Sequence, residues 1–174
     1  MFVLGIDPGV SRCGYCVLDV SARTAPRALA LGVLTTPVDD PLPNRLAMLR
    51  NDVVELLDEF PVSVVAVERV LFQVNVRTAM SVGQASGVIM AEAASRGCEV
   101  VEYSPNQVKD AVAGYGAADK AQVQMMVRRL LDLPMDPRPA DAADAAAVAL
   151  CHAAMAPLRA AALRSAGPRH EVAT

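Results

Sequence analysis

The chain has 174 residues, enough for one globular domain with a sizeable core, and 53% of them are hydrophobic, mainly through alanine and valine. No apolar run is long enough to span a membrane, and the first residues read directly as a strand, so a soluble, cytoplasmic protein is expected. A formal charge of −3 and a pI near 5.3 argue against a protein that binds polyanions through its net charge, since nucleic-acid affinity normally rests on clustered Lys and Arg.

In the run Phe2-Val3-Leu4-Gly5-Ile6-Asp7 alternation puts Val3, Gly5 and Asp7 on one face, and Pro8-Gly9 stops the strand just after a carboxylate. Gly5, the smallest side chain, leaves room beside Asp7. Taken alone, Asp7 serves equally well as a cap of the Pro8-Gly9 turn. Residues 12–20 and 27–35 continue as strands joined by turn chemistry, which makes an antiparallel meander of strands one to three. Leu46, Leu49, Val53, Leu56 and Phe60 then recur at helical spacing over residues 42–60 until Pro61 ends the pattern. Residues 62–67 are apolar with little alternation, the mark of a strand buried on both faces, and this strand too ends in a carboxylate, Glu68. With a helix as the crossover, strand four lies parallel to strand one, and Asp7 and Glu68 share a sheet edge.

A long helix over residues 75–96 carries Gly83, Gly87 and Ala91 at four-residue spacing, a stripe suited either to packing on its own sheet or to a second protomer. A fifth strand over 98–103 leads to Ser104-Pro105, an N-cap and first helical position. After a loop over 113–119, Val123, Met126, Val127, Leu130 and Leu131 define another helix, closed by Pro134, Pro137 and Pro139. The last helix opens with Asp141 and Asp144, which i, i+3 spacing puts on one face among alanines. It frays past Pro157 in this reading, giving one domain over 1–158 and a mobile tail over 159–174. The fold class is therefore α/β, a five-stranded mixed sheet with parallel strands four and five, flanked by helices.

Cys13, Cys16, Cys98 and Cys151 are too scattered for a disulfide framework, and the Cys13/Cys16 pair has no second pair to complete a zinc site. His152 and His170 support no metal site. Four carboxylates remain: Asp7, Glu68, Asp141 and Asp144. Clustered acids repel and resist ionising unless divalent cations lie between them, and an oxygen-only donor set suits Mg²⁺ or Mn²⁺. Two such ions about 3.5–4 Å apart activate water and stabilise the leaving oxygen in phosphoryl transfer. Alone, the Asp141/Asp144 pair reads as first-turn acids favoured by the helix dipole.

Gly5-Ile6-Asp7-Pro8-Gly9, Val67-Glu68-Arg69-Val70, Gly83-Gln84-Ala85-x-Gly87, Gln107-Val108-Lys109, Asp119-Lys120-Ala121-Gln122-Val123 and Ala140-Asp141-Ala142-Ala143-Asp144-Ala145 resemble, in that order and spacing, the RuvC-type Holliday junction resolvases. The similarity runs collinearly from residue 1 to about residue 155. It implies a ribonuclease H-like fold, a homodimer, and a Mg²⁺-dependent endonuclease that nicks two strands symmetrically at a four-way DNA junction in recombination and repair. It also implies cooperation with the branch-migration proteins RuvA and RuvB. Carried over by position, Asp7, Glu68, Asp141 and Asp144 hold two Mg²⁺, with Mn²⁺ as a substitute. Lys109 and Lys120, the only lysines in the chain, contact the DNA backbone near the scissile phosphate.

Two departures from the family pattern stand out. Leu71 occupies the position of an aromatic residue that stacks on a base near the crossover, and Phe72 lies one place later; stacking is worth about 1–3 kcal/mol per base, which leucine cannot supply. The acidic pI also requires Arg69, Arg77, Lys109 and Lys120 to concentrate locally on the DNA side, and binding away from junctions is expected to be weak and salt-sensitive. Competing readings are a ribonuclease H-like enzyme acting on RNA, a non-catalytic junction-binding module, and an actin-like ATPase or sugar kinase, for which the chain is too short.

Overall fold

The computed structural model describes residues 1–21, 25–70 and 76–165. Ten elements follow in chain order: β1 (Phe2–Asp7), β2 (Arg12–Asp19), β3 (Arg27–Thr35), α1 (Leu42–Glu59), β4 (Val62–Glu68), α2 (Val76–Ser95), β5 (Glu99–Tyr103), α3 (Pro105–Ala113), α4 (Lys120–Leu130) and α5 (Ala140–Ser165). The strands form one sheet in the order β3-β2-β1-β4-β5. β1 pairs antiparallel with β2 and parallel with β4, and β4 pairs parallel with β5, as the crossover argument requires. The expected mixed five-stranded sheet is thus present.

Strand alternation distributes the core between two layers. Leu4, Ile6, Val17, Val65 and Val67 face α1 and α2, where Leu49, Val53, Ile89 and Ala93 meet them. Val3, Cys16, Leu18, Val64 and Ala66 face α3, α4 and α5. Full burial of each valine or leucine contributes about 1.5–3 kcal/mol. Cys13 and Cys16 fall in different layers, both buried, so they pack as small apolar residues on opposite faces.

α5 differs from the other helices in what it buries. Ala142, Ala143, Ala145, Ala146, Ala147 and Ala149 are nearly inaccessible, and their small side chains let the helix backbone lie directly on β1 and β2. A Cβ added to Gly5 would lie 2.3 Å from the Ala145 carbonyl oxygen, and one added to Gly14 would lie 2.0 Å from that of Asp141. This corrects one expectation: the space above Gly5 is filled by α5 and is not clearance beside Asp7. α5 passes through Pro157 and continues to Ser165. Pro157 sits on the exposed side, and Arg159 pairs with Glu99 of β5 at 2.9 Å, which ties the later turns to the sheet. The tail anticipated from residue 159 therefore starts inside this helix, and 166–174 lie outside the described residues.

His152 is buried on α5, where its Nδ1 shares a 3.0 Å hydrogen bond with the Tyr103 hydroxyl, a packing role in line with its alanine-rich setting. Among the described residues no helix is long and apolar enough to cross a membrane.

Candidate active site

β1 and β4 run side by side in parallel, with Ile6 opposite Val67, so the next residues, Asp7 and Glu68, emerge together at their carboxyl ends. Alternation puts both acids on the sheet face of Gly5 and Ala66, which α5 covers, and α5 begins just there with Asp141 and Asp144. The structure brings all four predicted acids together. Burial is the main reason that Asp7 is pushed up to about 7, and the charges of Glu68, Asp144 and Asp141 add to it, against a smaller opposing effect of Lys120. Glu68 is also raised, by burial first and Asp144 second, with Lys120 and Lys109 opposing. An acid that resists ionising near neutral pH, surrounded by three others, lacks positive charge at its centre.

Two cations partly fill that need. Lys120 donates to Oδ2 of Asp144 at 2.6 Å, and this bond raises the lysine pKa. Arg12 donates to Oδ2 of Asp141 from Nε at 3.0 Å and from Nη2 at 2.7 Å. Burial pushes Asp141 up, but the Arg12 hydrogen bond, the Asp141 backbone and the charges of Arg12 and Lys120 outweigh it and hold the carboxyl below its usual range. Arg12 escaped the sequence reading, because only the docking of α5 on β2 brings residues 129 apart into contact.

The motif residues divide between frame and site. Ser104 and Gln107 form a capping box at the start of α3, and Asp119 and Gln122 form one at the start of α4. These caps fix the starts of the two helices that carry Lys109 and Lys120, which line one cleft of about 250 Å³ with Glu68 and Asp144. Asp119→Ala is expected to cost about 1 kcal/mol through the lost cap. A melting curve showing an unchanged midpoint would separate the motif from that role; a drop with weakened cleavage supports it as the mount for Lys120. The Asp7 side of the site opens into a second cleft of about 280 Å³, lined by Pro8, Glu68, Arg69, Val70 and Val82, with Arg69 exposed at its rim. Arg77 falls within α2, but its side chain is outside the described set, and Leu71 and Phe72 lie outside the described residues.

The loop joining Asp7 to Arg12 is braced from behind. Buried Thr36 donates to the Val10 carbonyl at 2.6 Å, and Arg45 of α1 reaches Thr36 at 3.0 Å and Ser11 at 2.5 Å. Both ends of this short loop carry a charged group of the site, so the brace sets their separation.

A mixed sheet in this strand order, with acids ending its two central strands and two more on the covering helix, defines a nuclease of the ribonuclease H-like class. The family model "Crossover junction endodeoxyribonuclease RuvC" matches residues 3–152, and the chain belongs to the RuvC family. The RuvC protein of Leifsonia xyli is 49% identical over 151 residues, covering 87% of this chain and 73% of its own length. The structure of Thermus thermophilus RuvC superposes with a TM-score of 0.85 at 38% identity, over 91% of this chain and 97% of that one. The same Thermus protein in complex with a Holliday junction substrate gives a TM-score of 0.82 at 37% identity, over 91% and 96% of the two chains.

Proposed function

We propose that this protein is a homodimeric, Mg²⁺-dependent endonuclease that resolves four-way DNA junctions by paired symmetric nicks. The observation that carries this reading is the convergence of Asp7, Glu68, Asp141 and Asp144, with Asp7 pushed up to about 7 by burial and by the other three. Their donor set is oxygen only and fits two Mg²⁺, or Mn²⁺ in their place, held by these four residues. As they stand, no three such groups among the described residues are arranged to grip an ion, and two of the acids are engaged by Arg12 and Lys120. Bound Mg²⁺ supplies activation of the attacking water and stabilisation of the leaving 3′ oxygen. Lys109 and Lys120 meet the backbone phosphates beside the acids, where a compact ammonium offsets the charge of the reacting group. Arg69 extends the positive rim on the Asp7 side. Arg77, Leu71 and Phe72 complete the DNA side, with an aromatic or apolar contact at the crossover.

α2 supports the dimer. A Cβ at Gly83 or Gly87 would meet nothing within 4 Å, and Met80, Gln84 and Ala91 on the same face are exposed. The small-residue stripe therefore points away from its own sheet and leaves a close approach open to a second copy. The protein works in the cytoplasm with RuvA and RuvB as partners, one nuclease domain over 1–158 carrying the activity.

Incubation with a synthetic four-way junction tests the whole reading. Paired nicks at symmetric positions are expected with Mg²⁺ and none with EDTA, and sedimentation at micromolar protein gives a dimer. Junction binding without cleavage points to a non-catalytic module, and faster cutting of RNA hybrids to a ribonuclease.

A further inference from the structure

The ion pair between Arg12 and Asp141 has a geometry that bears on how the site takes up cations. Both guanidinium donors converge on the single oxygen Oδ2 of Asp141, from Nε and Nη2. Arg12 approaches from solvent, with its side chain 48% exposed, whereas a group that orients a metal ligand usually packs behind it. Its backbone is nevertheless well placed: it opens β2, pairs with Thr35, and follows the loop braced by Thr36 and Arg45. A guanidinium remains charged at any working pH, so it neutralises one unit of the acids' charge for as long as it stays there.

We propose that Arg12 is a positioning residue that acts as the resident counter-ion of Asp141, lowering the cation affinity of the DNA-free site. This rests on the metal-binding reading of the four acids. A divalent ion entering beside Asp141 meets the Arg12 charge at close range and must either displace the guanidinium or bind against its repulsion. An incoming phosphodiester provides the guanidinium with another anion, so release of Asp141 is coupled to the arrival of DNA. The site thereby loads its cations poorly until DNA is present.

Mn²⁺ binding to the DNA-free full chain, followed by electron paramagnetic resonance and calorimetry, tests this without reference to activity. Arg12→Gln is expected to bind Mn²⁺ roughly tenfold more tightly than wild type, as removal of one nearby positive charge implies for a divalent ion. Arg12→Lys, which keeps the charge, stays within about twofold of wild type. Melting curves of both variants confirm that the fold is intact, and an exposed ion pair contributes little to it. Unchanged or weaker Mn²⁺ binding by Arg12→Gln overturns the proposal while leaving the metal site standing. Weaker binding makes Arg12 an orienting group for the ligand. If neither wild type nor variant binds Mn²⁺, or if Asp141→Asn with Asp144→Asn leaves binding unchanged, the metal reading itself fails, and this proposal with it.

Discussion

Asp7→Asn is expected to cut junction cleavage severely and, at the same time, to stabilise the metal-free protein above neutral pH. The two effects share one cause. In the folded chain Asp7 is pushed up to about 7, well above the ordinary carboxylate range, by burial first and by Glu68, Asp144 and Asp141 after it. Below the unfolded value both states are protonated and the group leaves stability unchanged. As pH rises from there towards 7, the unfolded chain ionises while the folded one does not, and stability is lost, reaching a full penalty of about 4 kcal/mol above 7. Asparagine keeps the shape and removes the charge, and solvent reaching the site reduces the gain to about 2–3 kcal/mol. For a chain of this size that is roughly 5–10 °C in melting midpoint at pH 8, vanishing near pH 4. Millimolar Mg²⁺ narrows the difference, because only wild type keeps the full set of ionised ligands to be stabilised by binding.

Cleavage by Asp7→Asn falls on the order of a thousandfold, equivalent to about 4 kcal/mol of barrier. Differential scanning at pH 4 and pH 8, with and without Mg²⁺, beside a junction-cleavage assay, checks both halves. A lowered midpoint at pH 8 with cleavage retained is the behaviour of a turn cap at Pro8-Gly9 and removes Asp7 from the chemistry. The same titration makes wild-type Mg²⁺ affinity rise with pH through about 7, since the cation must displace the proton that Asp7 holds.

Gly14→Ala attacks the site from the backbone. Gly14 stands opposite Asp7 in the β1–β2 register, and its added Cβ would come 2.0 Å from the Asp141 carbonyl oxygen and 2.6 Å from its carbon. Neither neighbour is the tip of a flexible side chain, so the first turn of α5 must move. Overpacking of this kind costs about 1–3 kcal/mol. The catalytic loss is larger than the stability loss, because displacement of Asp141 by about 1 Å costs a hundredfold or so in rate. Gly5→Ala, which collides with Ala145 and Ala149 one turn further along, is expected to cost similar stability with a smaller effect on cleavage. Thermal melts and single-turnover cleavage at saturating junction separate these outcomes. A Gly14→Ala protein with wild-type rate and midpoint contradicts the close docking of α5 on the sheet.

The unequal legibility of these features has a physical basis. Alternation along residues 2–7, the unbroken apolar run over 62–67 and the 3.6-residue spacing of Leu49, Val53 and Leu56 are local patterns. They fixed element types, and the crossover rule then set β1 beside β4, so two of the acids could be paired before any coordinates. Asp141 and Asp144 were legible as one helical face, and their chain order with the lysines carried the family resemblance. The capping boxes at Ser104/Gln107 and Asp119/Gln122 explain why the motif residues around Lys109 and Lys120 include groups that never reach the site.

Sequence by itself therefore determined the strand and helix order, the sheet arrangement and which four carboxylates could meet at one sheet edge, because each follows from local periodicity and the stereochemistry of the crossover. Tertiary structure alone decided what lies on each of them: α5 over Gly5 and Gly14, Arg12 on Asp141, and Lys120 on Asp144. It also turned the Gly83/Gly87 stripe outward, away from its own sheet. Those outcomes depend on how closely an alanine-rich helix settles on two strands more than a hundred residues away, a distance set by packing of the whole core that no local pattern encodes.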